Sequence, residues 1–202
     1  AVVLSAPGIG ILPLLGLVLA IGVGAASLAP LWKRNLRRTP LFTIGMVVAH
    51  LGIGVALAGM AAEAAFTREV LAAAKPGQRF EIGPFAVTFN GVKPVAGPNW
   101  TALEADMRVE RSGKTFTVAP QARMFSEPPT ETSEAALSTH WDGQLYLVLG
   151  KQDAQDRWQV RMWWKPLVTL IWAGGLLIAL GGVRALVGHL RREARSRWRR
   201  EY

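Results

Sequence analysis

One histidine, His50, sits near the middle of an uncharged stretch, residues 39–62, with the sequence TPLFTIGMVVAHLGIGVALAGMAA. This stretch is long enough to cross a bilayer as a single helix. A titratable ring at mid-membrane is energetically unfavourable and therefore indicates a functional site. The imidazole could ligate a metal or a haem iron, or take part in transport. It could equally hydrogen-bond a neighbouring helix, a structural role worth on the order of 1 kcal/mol.

Small residues surround His50 on the same predicted helix: Gly45, Gly52, Gly54, Ala56 and Gly59. Residues of this size allow either another helix or a flat ligand to come close to the backbone. The pattern therefore predicts close packing around His50 and leaves the identity of the neighbour open.

The other two histidines, His140 and His189, are predicted to lie far from His50 along the membrane normal. His50 is about 17 Å from the start of its helix, whereas His189 falls beyond the roughly 30 Å hydrocarbon core on the same side as that start. We expect His189 to be an interfacial residue and His140 a solvated residue of an outer loop. If His50 binds a metal or haem, its second ligand lies outside this chain.

The elements that must position His50 are predicted from the separation of apolar and basic residues. Half of the residues are hydrophobic, yet the net charge is +9. Three uncharged runs, the third of which covers residues 166–183, predict transmembrane helices. Two of these helices, at about 8–31 and 40–62, lie within residues 1–62, and the third covers 166–188. Tryptophans at the start of the third run are typical of a membrane interface: Trp163, Trp164 and Trp172. The chain is predicted to be a membrane protein of the α+β class.

The basic residues predict the orientation of these helices. Four cations lie in the loop 33–38, and the segment 189–202 is strongly basic, whereas residues 63–165 carry equal numbers of cations and anions. Under the positive-inside rule the loop and the C-terminal tail are cytoplasmic, and residues 63–165 form an extracytoplasmic domain. Orientation and contact with the lipid bilayer explain the basic residues, so we expect no nucleic-acid partner.

This orientation puts the first residue on the outer side, although the N-terminal residues lack the features of a signal peptide. We therefore expect the chain to be the C-terminal piece of a larger multi-spanning protein, or half of a split one. The sequence contains no cysteine, so neither a disulfide nor thiolate chemistry is available to it.

Residues 63–165 show the alternation of apolar and polar residues that is typical of half-buried strands. About six short strands are expected, forming a small antiparallel sandwich or barrel between helices 2 and 3. Asn90-Gly91 predicts a hairpin turn. The proline- and hydroxyl-rich segment 120–142 is interpreted as a long functional or mobile loop. For Trp100 and Trp141, a place against the domain core is favoured over stacking on a flat ligand such as a porphyrin.

Six ordered blocks between residues 40 and 185 resemble the C-terminal third of the CcmF family, the haem lyase of bacterial cytochrome c maturation. The blocks are Gly45-Met46-Val47-Val48-Ala49-His50-Leu51-Gly52, Pro76-Gly77, Gly97-Pro98-Asn99-Trp100, Thr132-Ser133-Glu134-Ala135-Ala136-Leu137, Leu145-Tyr146 with Leu149-Gly150, and Trp163-Trp164-Lys165-Pro166 with Ile171-Trp172-Ala173-Gly174-Gly175.

The resemblance implies that the complete protein is a haem lyase, a holocytochrome c synthase. It would take haem from a periplasmic haem chaperone and attach it to the Cys-x-x-Cys-His motif of apocytochrome c, together with the subunits that deliver the apocytochrome. It also implies a b-type haem (haem b) in the membrane, with His50 as one axial ligand of the iron and the second ligand in the upstream part of the same protein.

The same resemblance implies a multi-pass protein of the bacterial inner membrane, with a periplasmic β-domain and a cytoplasmic C-terminus. It assigns no catalytic residue to this chain, which alone is not expected to be catalytically sufficient. Two other interpretations stay open at this point. One is a non-enzymatic membrane assembly or transport subunit in which His50 only bridges helices, and the other is a plain b-type electron carrier.

Overall fold

The computed structural model describes residues 3–4 and 10–201, with side chains described for residues 10–194. The chain divides into two compact units. One unit consists of helices, and the other, which includes Phe66–Pro166, consists of strands.

Three helices form the first unit: α1 Ile11–Leu28, α2 Leu41–Phe66 and α3 Thr169–Glu201. Short 3-10 turns at Ala29–Leu31 and Leu36–Arg38 lie between α1 and α2. Each helix contains a window apolar enough to cross a membrane, with mean hydropathies of 2.3, 2.1 and 1.9. The expected three apolar helices are confirmed, and α3 continues through the basic segment that follows its apolar part.

Helices α2 and α3 approach each other backbone to backbone at glycines. A Cβ atom placed on Gly52 would lie 2.7 Å from the carbonyl oxygen of Gly174, and one placed on Gly59 would lie 2.8 Å from the amide nitrogen of Ile171. Gly45 faces α3 in the same way, at Gly181. These three glycines of α2 are spaced by seven residues, which keeps them on one side of the helix.

Helix α1 contacts a different side of α2. A Cβ atom on Gly54 would lie 3.1 Å from the carbonyl oxygen of Ala20, and one on Gly16 would lie 2.9 Å from the Cβ of Ala61. Helix α2 is therefore held by both of its neighbours in the helical unit.

Two antiparallel sheets form the second unit. The first has the strand order β1-β2-β11-β10-β9, and the second has the order β3-β4-β5-β7-β8, with β6 also paired to β5. The strands are β1 Val3–Leu4, β2 Arg68–Ala74, β3 Gln78–Ile82, β4 Phe85–Ala96, β5 Trp100–Arg111, β6 Lys114–Val118, β7 Gln121–Ser126, β8 Pro129–Glu134, β9 Ala136–His140, β10 Gly143–Gln152 and β11 Trp158–Pro166.

The core of this unit lies between the facing sides of the two sheets. Alternate residues of the long strands are buried, as the alternation in the sequence predicts. The largest fully buried side chains include Phe89, Met107, Leu147 and Met162. The expected antiparallel β-domain between helices 2 and 3 is confirmed and is a sandwich. Trp164 belongs to its core, so the membrane-belt interpretation is wrong for this residue.

The segment 120–142 is not the long loop that we expected. It contains β7 and β8, paired from Gln121↔Glu134 to Ser126↔Pro129, and then β9, paired to β10. The adjacent prolines Pro128 and Pro129 sit at the tight connection between β7 and β8, where proline is tolerated. The hydroxyl residues lie on exposed or half-exposed positions of edge strands, and this explains the polar composition.

Asn90-Gly91 does not form the predicted hairpin turn. Strand β4 passes straight through it, with a pairing irregularity between Phe89 and Gly91 opposite β5. Gly91 has a φ of 146°, which a glycine adopts readily and which is typical of a bulge. The dipeptide therefore interrupts the regular pairing of a long strand without ending it.

Candidate functional site

His50 lies in the interior of α2 and its side chain is exposed within the helical unit. The surrounding turns of α2 are apolar or small, so the imidazole is a single titratable group on this part of the helix. Its ring is accessible to a ligand that comes from outside the residues described here.

A hydrogen bond fixes the imidazole of His50. The ring nitrogen Nδ1 lies 2.8 Å from the carbonyl oxygen of Met46, one turn earlier on the same helix. A carbonyl oxygen only accepts hydrogen bonds, so Nδ1 must carry the proton that is donated. In the neutral imidazole, Nε2 then has the free lone pair. This tautomer can ligate a metal through Nε2, with the ring oriented by a bond to a backbone carbonyl.

The same hydrogen bond bears on the structural alternative for His50. In the part of the chain that the structure describes, the polar partner of the ring is on α2 itself, so the ring does not bridge to α1 or α3. The small residues around it contact other helices: Gly45, Gly52 and Gly59 meet α3, and Gly54 meets α1. Their function in this unit is helix packing, not contact with a flat ligand.

His189 does not approach His50. Gly188, its neighbour on α3, faces Phe42 of α2, whereas Gly181 faces Ala49. The two histidines are therefore separated by about two turns, roughly 12 Å along the helix axis. His189 Nε2 lies 3.0 Å from a carboxylate oxygen of Glu193 on the next turn.

His140 is a strand residue and not the solvated loop residue that we expected. It ends β9, its ring centroid lies 5.2 Å from that of Phe85, and its Nε2 lies 3.1 Å from the Ser138 hydroxyl. Among the described residues, no group of three or more His, Cys, Asp or Glu side chains is arranged to hold a metal ion. A metal ion bound at His50 would therefore need further ligands from outside the residues described here.

The two loop tryptophans do not belong to the core of the sandwich. Trp141 is 86% exposed, so the core interpretation is wrong for it. Trp100 is half-buried at the start of β5, where its ring packs against Gly97 and lies 4.3 Å from the guanidinium carbon of Arg123.

An ion pair that the sequence analysis missed lies inside the β-unit. Arg111 Nη2 is 2.5 Å from Asp142 Oδ2, and the two side chains are only 18% and 22% exposed. The guanidinium also lies over the rings of Phe85 and Trp164. Its hydrogen bond holds the pKa of Asp142 below the usual range of a carboxyl group. The two residues are 31 positions apart, so no local spacing could have indicated the pair.

Comparisons with known proteins identify the family of the chain. The family model described as the CcmF C-terminal beta-sandwich matches residues 65–166, about half of the chain. The chain belongs to the CcmF family. The match covers the β-unit, and the resemblance predicted from the sequence blocks is confirmed.

Relatives extend the similarity to the helices. The cytochrome c-type biogenesis protein CycK of Rhizobium meliloti (strain 1021) is 35% identical over 184 residues, covering 89% of this chain and 27% of that protein. The cytochrome c-type biogenesis protein CcmF of Escherichia coli (strain K12) is 36% identical over 175 residues, covering 85% of this chain and 27% of that protein.

A solved structure described as Cytochrome c Heme Lyase CcmF has the same fold. It superposes with a TM-score of 0.66 at 20% identity, over 90% of this chain and 36% of that one. The chain spans 27% of each of these two relatives and 36% of the solved chain. It is a cytochrome c-type biogenesis family member whose sequence corresponds to part of each relative.

Proposed function

We propose that the chain is the C-terminal portion of a haem lyase of cytochrome c biogenesis. The complete protein takes haem from a periplasmic haem chaperone and promotes its covalent attachment to the Cys-x-x-Cys-His motif of apocytochrome c. A b-type haem in the membrane is held partly by His50 of this chain and partly by an axial ligand in the upstream part of the protein. The relatives named as cytochrome c-type biogenesis proteins support this assignment.

The observation that carries the proposal is the state of His50. Its Nδ1–H donates to the carbonyl of Met46, so the lone pair of Nε2 is available on an exposed part of an apolar helix. An imidazole in this state fits an axial position of a haem iron. A ring that served only to join two helices would be bonded across their interface.

The residues of this chain hold and orient the ligand. Met46 fixes the tautomer and the ring orientation of His50 through its backbone carbonyl, and the glycine contacts with α3 fix the helix that carries the ring. When bound, the haem would supply one-electron redox chemistry at this position. The apolar surroundings keep water from the imidazole, so that a bound iron does not compete with solvent for Nε2.

The β-unit serves as a periplasmic docking domain for the haem chaperone or for the subunits that deliver apocytochrome c. The charge distribution supports this orientation, because the neutral segment 63–165 stands in sequence between two helices whose other ends carry the basic loop 33–38 and the basic segment from Arg184 onward. In this arrangement the C-terminus is cytoplasmic and the protein lies in the bacterial inner membrane. In this proposal no catalytic residue is assigned to this chain, which acts only as part of the complete protein.

The proposal is tested by removing the ligand from the complete protein. Reduced and oxidised optical spectra of the wild type are expected to show a low-spin b-type haem, which is absent from His50→Ala and from His50→Gln. Cytochrome c maturation is expected to be lost in parallel. His189→Ala is a matched control, because it removes a histidine of the same helical unit that is already bonded to Glu193. It should keep the spectrum.

The alternative, an assembly subunit without haem, gives different results. His50→Gln would then keep full activity, because a glutamine still hydrogen-bonds. Full haem content in His50→Ala would show that the ligand assignment is wrong. Haem loss with intact maturation would show that the haem is bound there but is not needed for attachment.

A further inference from the structure

A cavity of about 570 Å³ lies in the helical unit, between the beginning of α2 and a late turn of α3. Residues 40–43 line one side, and Gly188, His189, Arg191 and Arg192 line the other. The cavity is away from His50, at the ends of the apolar spans Leu41–Phe66 and Thr169–Ala194. Neither the haem-ligand assignment nor helix packing gives it a role.

The cavity is strongly cationic. Arg191 and Arg192 are exposed and have no ion-pair partner among residues 10–194, and the carboxylate nearest to them in sequence, Glu193, lies 3.0 Å from His189. The exposed cations of the loop 33–38 lie just before Pro40, which lines the cavity. All of the net charge of +9 resides in this loop and in residues 184–202. An anion is therefore the complementary ligand.

The cavity also has an apolar side. Leu41 and Phe42 line it, and Phe42 is exposed. On α3, Leu186 and Leu190 are close in sequence to the lining residues, and their side chains are exposed. Trp32, which is 77% exposed beside the basic loop, is a residue typical of the bilayer interface. A ligand that uses both sides must carry a negative charge next to a hydrocarbon chain.

We propose that this cavity binds the headgroup of an anionic phospholipid. Arg191 and Arg192 pair with the phosphate, and an acyl chain runs along Phe42 and the exposed leucines of α3. A free phosphate ion would use the arginines but not the apolar wall, whereas a zwitterionic lipid would use the wall but bring a cation to the arginines. The proposal does not depend on the haem function.

The test uses the complete protein that contains this chain, purified in detergent. Native mass spectrometry follows bound lipid during titration with phosphatidylglycerol and, separately, with phosphatidylcholine. Phosphatidylglycerol is expected to bind more tightly, and R191Q/R192Q to weaken its binding about tenfold or more, because each cation near an anionic headgroup contributes roughly a factor of five. R37Q/R38Q is the matched control, because it removes two nearby cations that do not line the cavity, and it should weaken binding less than R191Q/R192Q.

Two further arms separate the alternatives. R191K/R192K keeps both charges and should keep most of the binding, and excess inorganic phosphate should not displace the lipid. The proposal is overturned if the control loses as much binding as R191Q/R192Q, since the attraction would then be diffuse. Equal affinity for both lipids, displacement by inorganic phosphate, or complete loss of binding in the lysine variant would each overturn it as well.

Discussion

The two units of this chain bury their surfaces by different means. In the helical unit α2 and α3 meet at backbone atoms, and the side chains that would separate them are absent at Gly52 and Gly174. In the β-unit, large side chains such as Phe89 and Met107 fill the space between the two sheets. The difference follows from the surrounding solvent. Water drives apolar side chains into a core through the hydrophobic effect, whereas lipid does not, so that helices in a membrane associate through close packing.

Polar groups follow the same division. The β-unit carries ion pairs around its core, such as Arg79 with Glu110 at 2.8 Å and Lys93 with Glu104 at 3.2 Å. In α2 the imidazole of His50 bonds to a backbone carbonyl of its own helix. A titratable side chain in an apolar span indicates a functional site, as proposed above for His50, whereas polar side chains in the β-unit serve mostly solvation and stability.

The largest expected effect concerns the core of the β-unit. Leu147→Ala removes a side chain of β10 that is 0% exposed and should lower the free energy of unfolding of this unit by about 3 kcal/mol, because it loses apolar burial and leaves a cavity. Hydrogen exchange of β10 in urea, measured on the intact protein, reports the change. Leu137→Ala on the neighbouring strand, where the side chain is 54% exposed, should change it by less than about 0.5 kcal/mol. Similar losses in both variants would contradict the assignment of the core.

The next effect concerns the helix contact. Gly174→Leu places a side chain where a Cβ would lie 2.5 Å from the amide nitrogen of Ala56, so the helices must separate at an expected loss of about 2 kcal/mol. Gly175 is the adjacent position on α3 and has no heavy atom within 4 Å of its Cβ. Gly175→Leu should therefore be neutral or stabilising by up to about 1 kcal/mol. Titration with SDS measures both, and equal destabilisation would argue against close backbone packing.

The smallest effect concerns the ion pair of Arg111 and Asp142. Asp142→Asn should lower the free energy of unfolding of the β-unit by about 1–2 kcal/mol at neutral pH, because Arg111 loses a charged hydrogen-bond partner. The pKa of Asp142 is lowered in the folded state, so its contribution is present above the ordinary carboxyl pKa and is lost as pH falls through the lowered value. Wild type and variant should thus converge on acidification. A difference that is constant with pH would exclude this cause.

Periodicity predicts elements well where one period continues over many residues. The helix around His50 and the strands β5 and β10 were predictable from the sequence alone. Their apolar runs or alternating residues follow from burial that repeats locally along the chain. The segment 120–142 was wrongly interpreted because its edge strands have little buried face, so their polar residues look like those of a loop. Asn90-Gly91 was wrongly interpreted as a hairpin turn because a turn and a β-bulge both favour a glycine with positive φ, so that the dipeptide alone does not distinguish them.

The candidate site was predictable in part. His50 is visible in the sequence as a ring in an apolar stretch, and the glycines around it indicate close packing. What the sequence leaves undecided is which neighbour each glycine contacts and which ring nitrogen is free. Both depend on the contacts of α2 with α1 and α3 and on a side-chain rotamer, neither of which has a local pattern.

The seven-residue spacing of Gly45, Gly52 and Gly59 has a consequence for the motion of the helices. Seven residues of a straight α-helix fall roughly 20° short of two full turns, so these glycines would drift off the contact by roughly 40° over their length. All three face α3, so the pair is expected to wrap with a left-handed supercoil. Helices wound in this way cannot spin independently. The direction in which the imidazole of His50 points from the axis of α2 is therefore coupled to the rotation of α3 about its own axis.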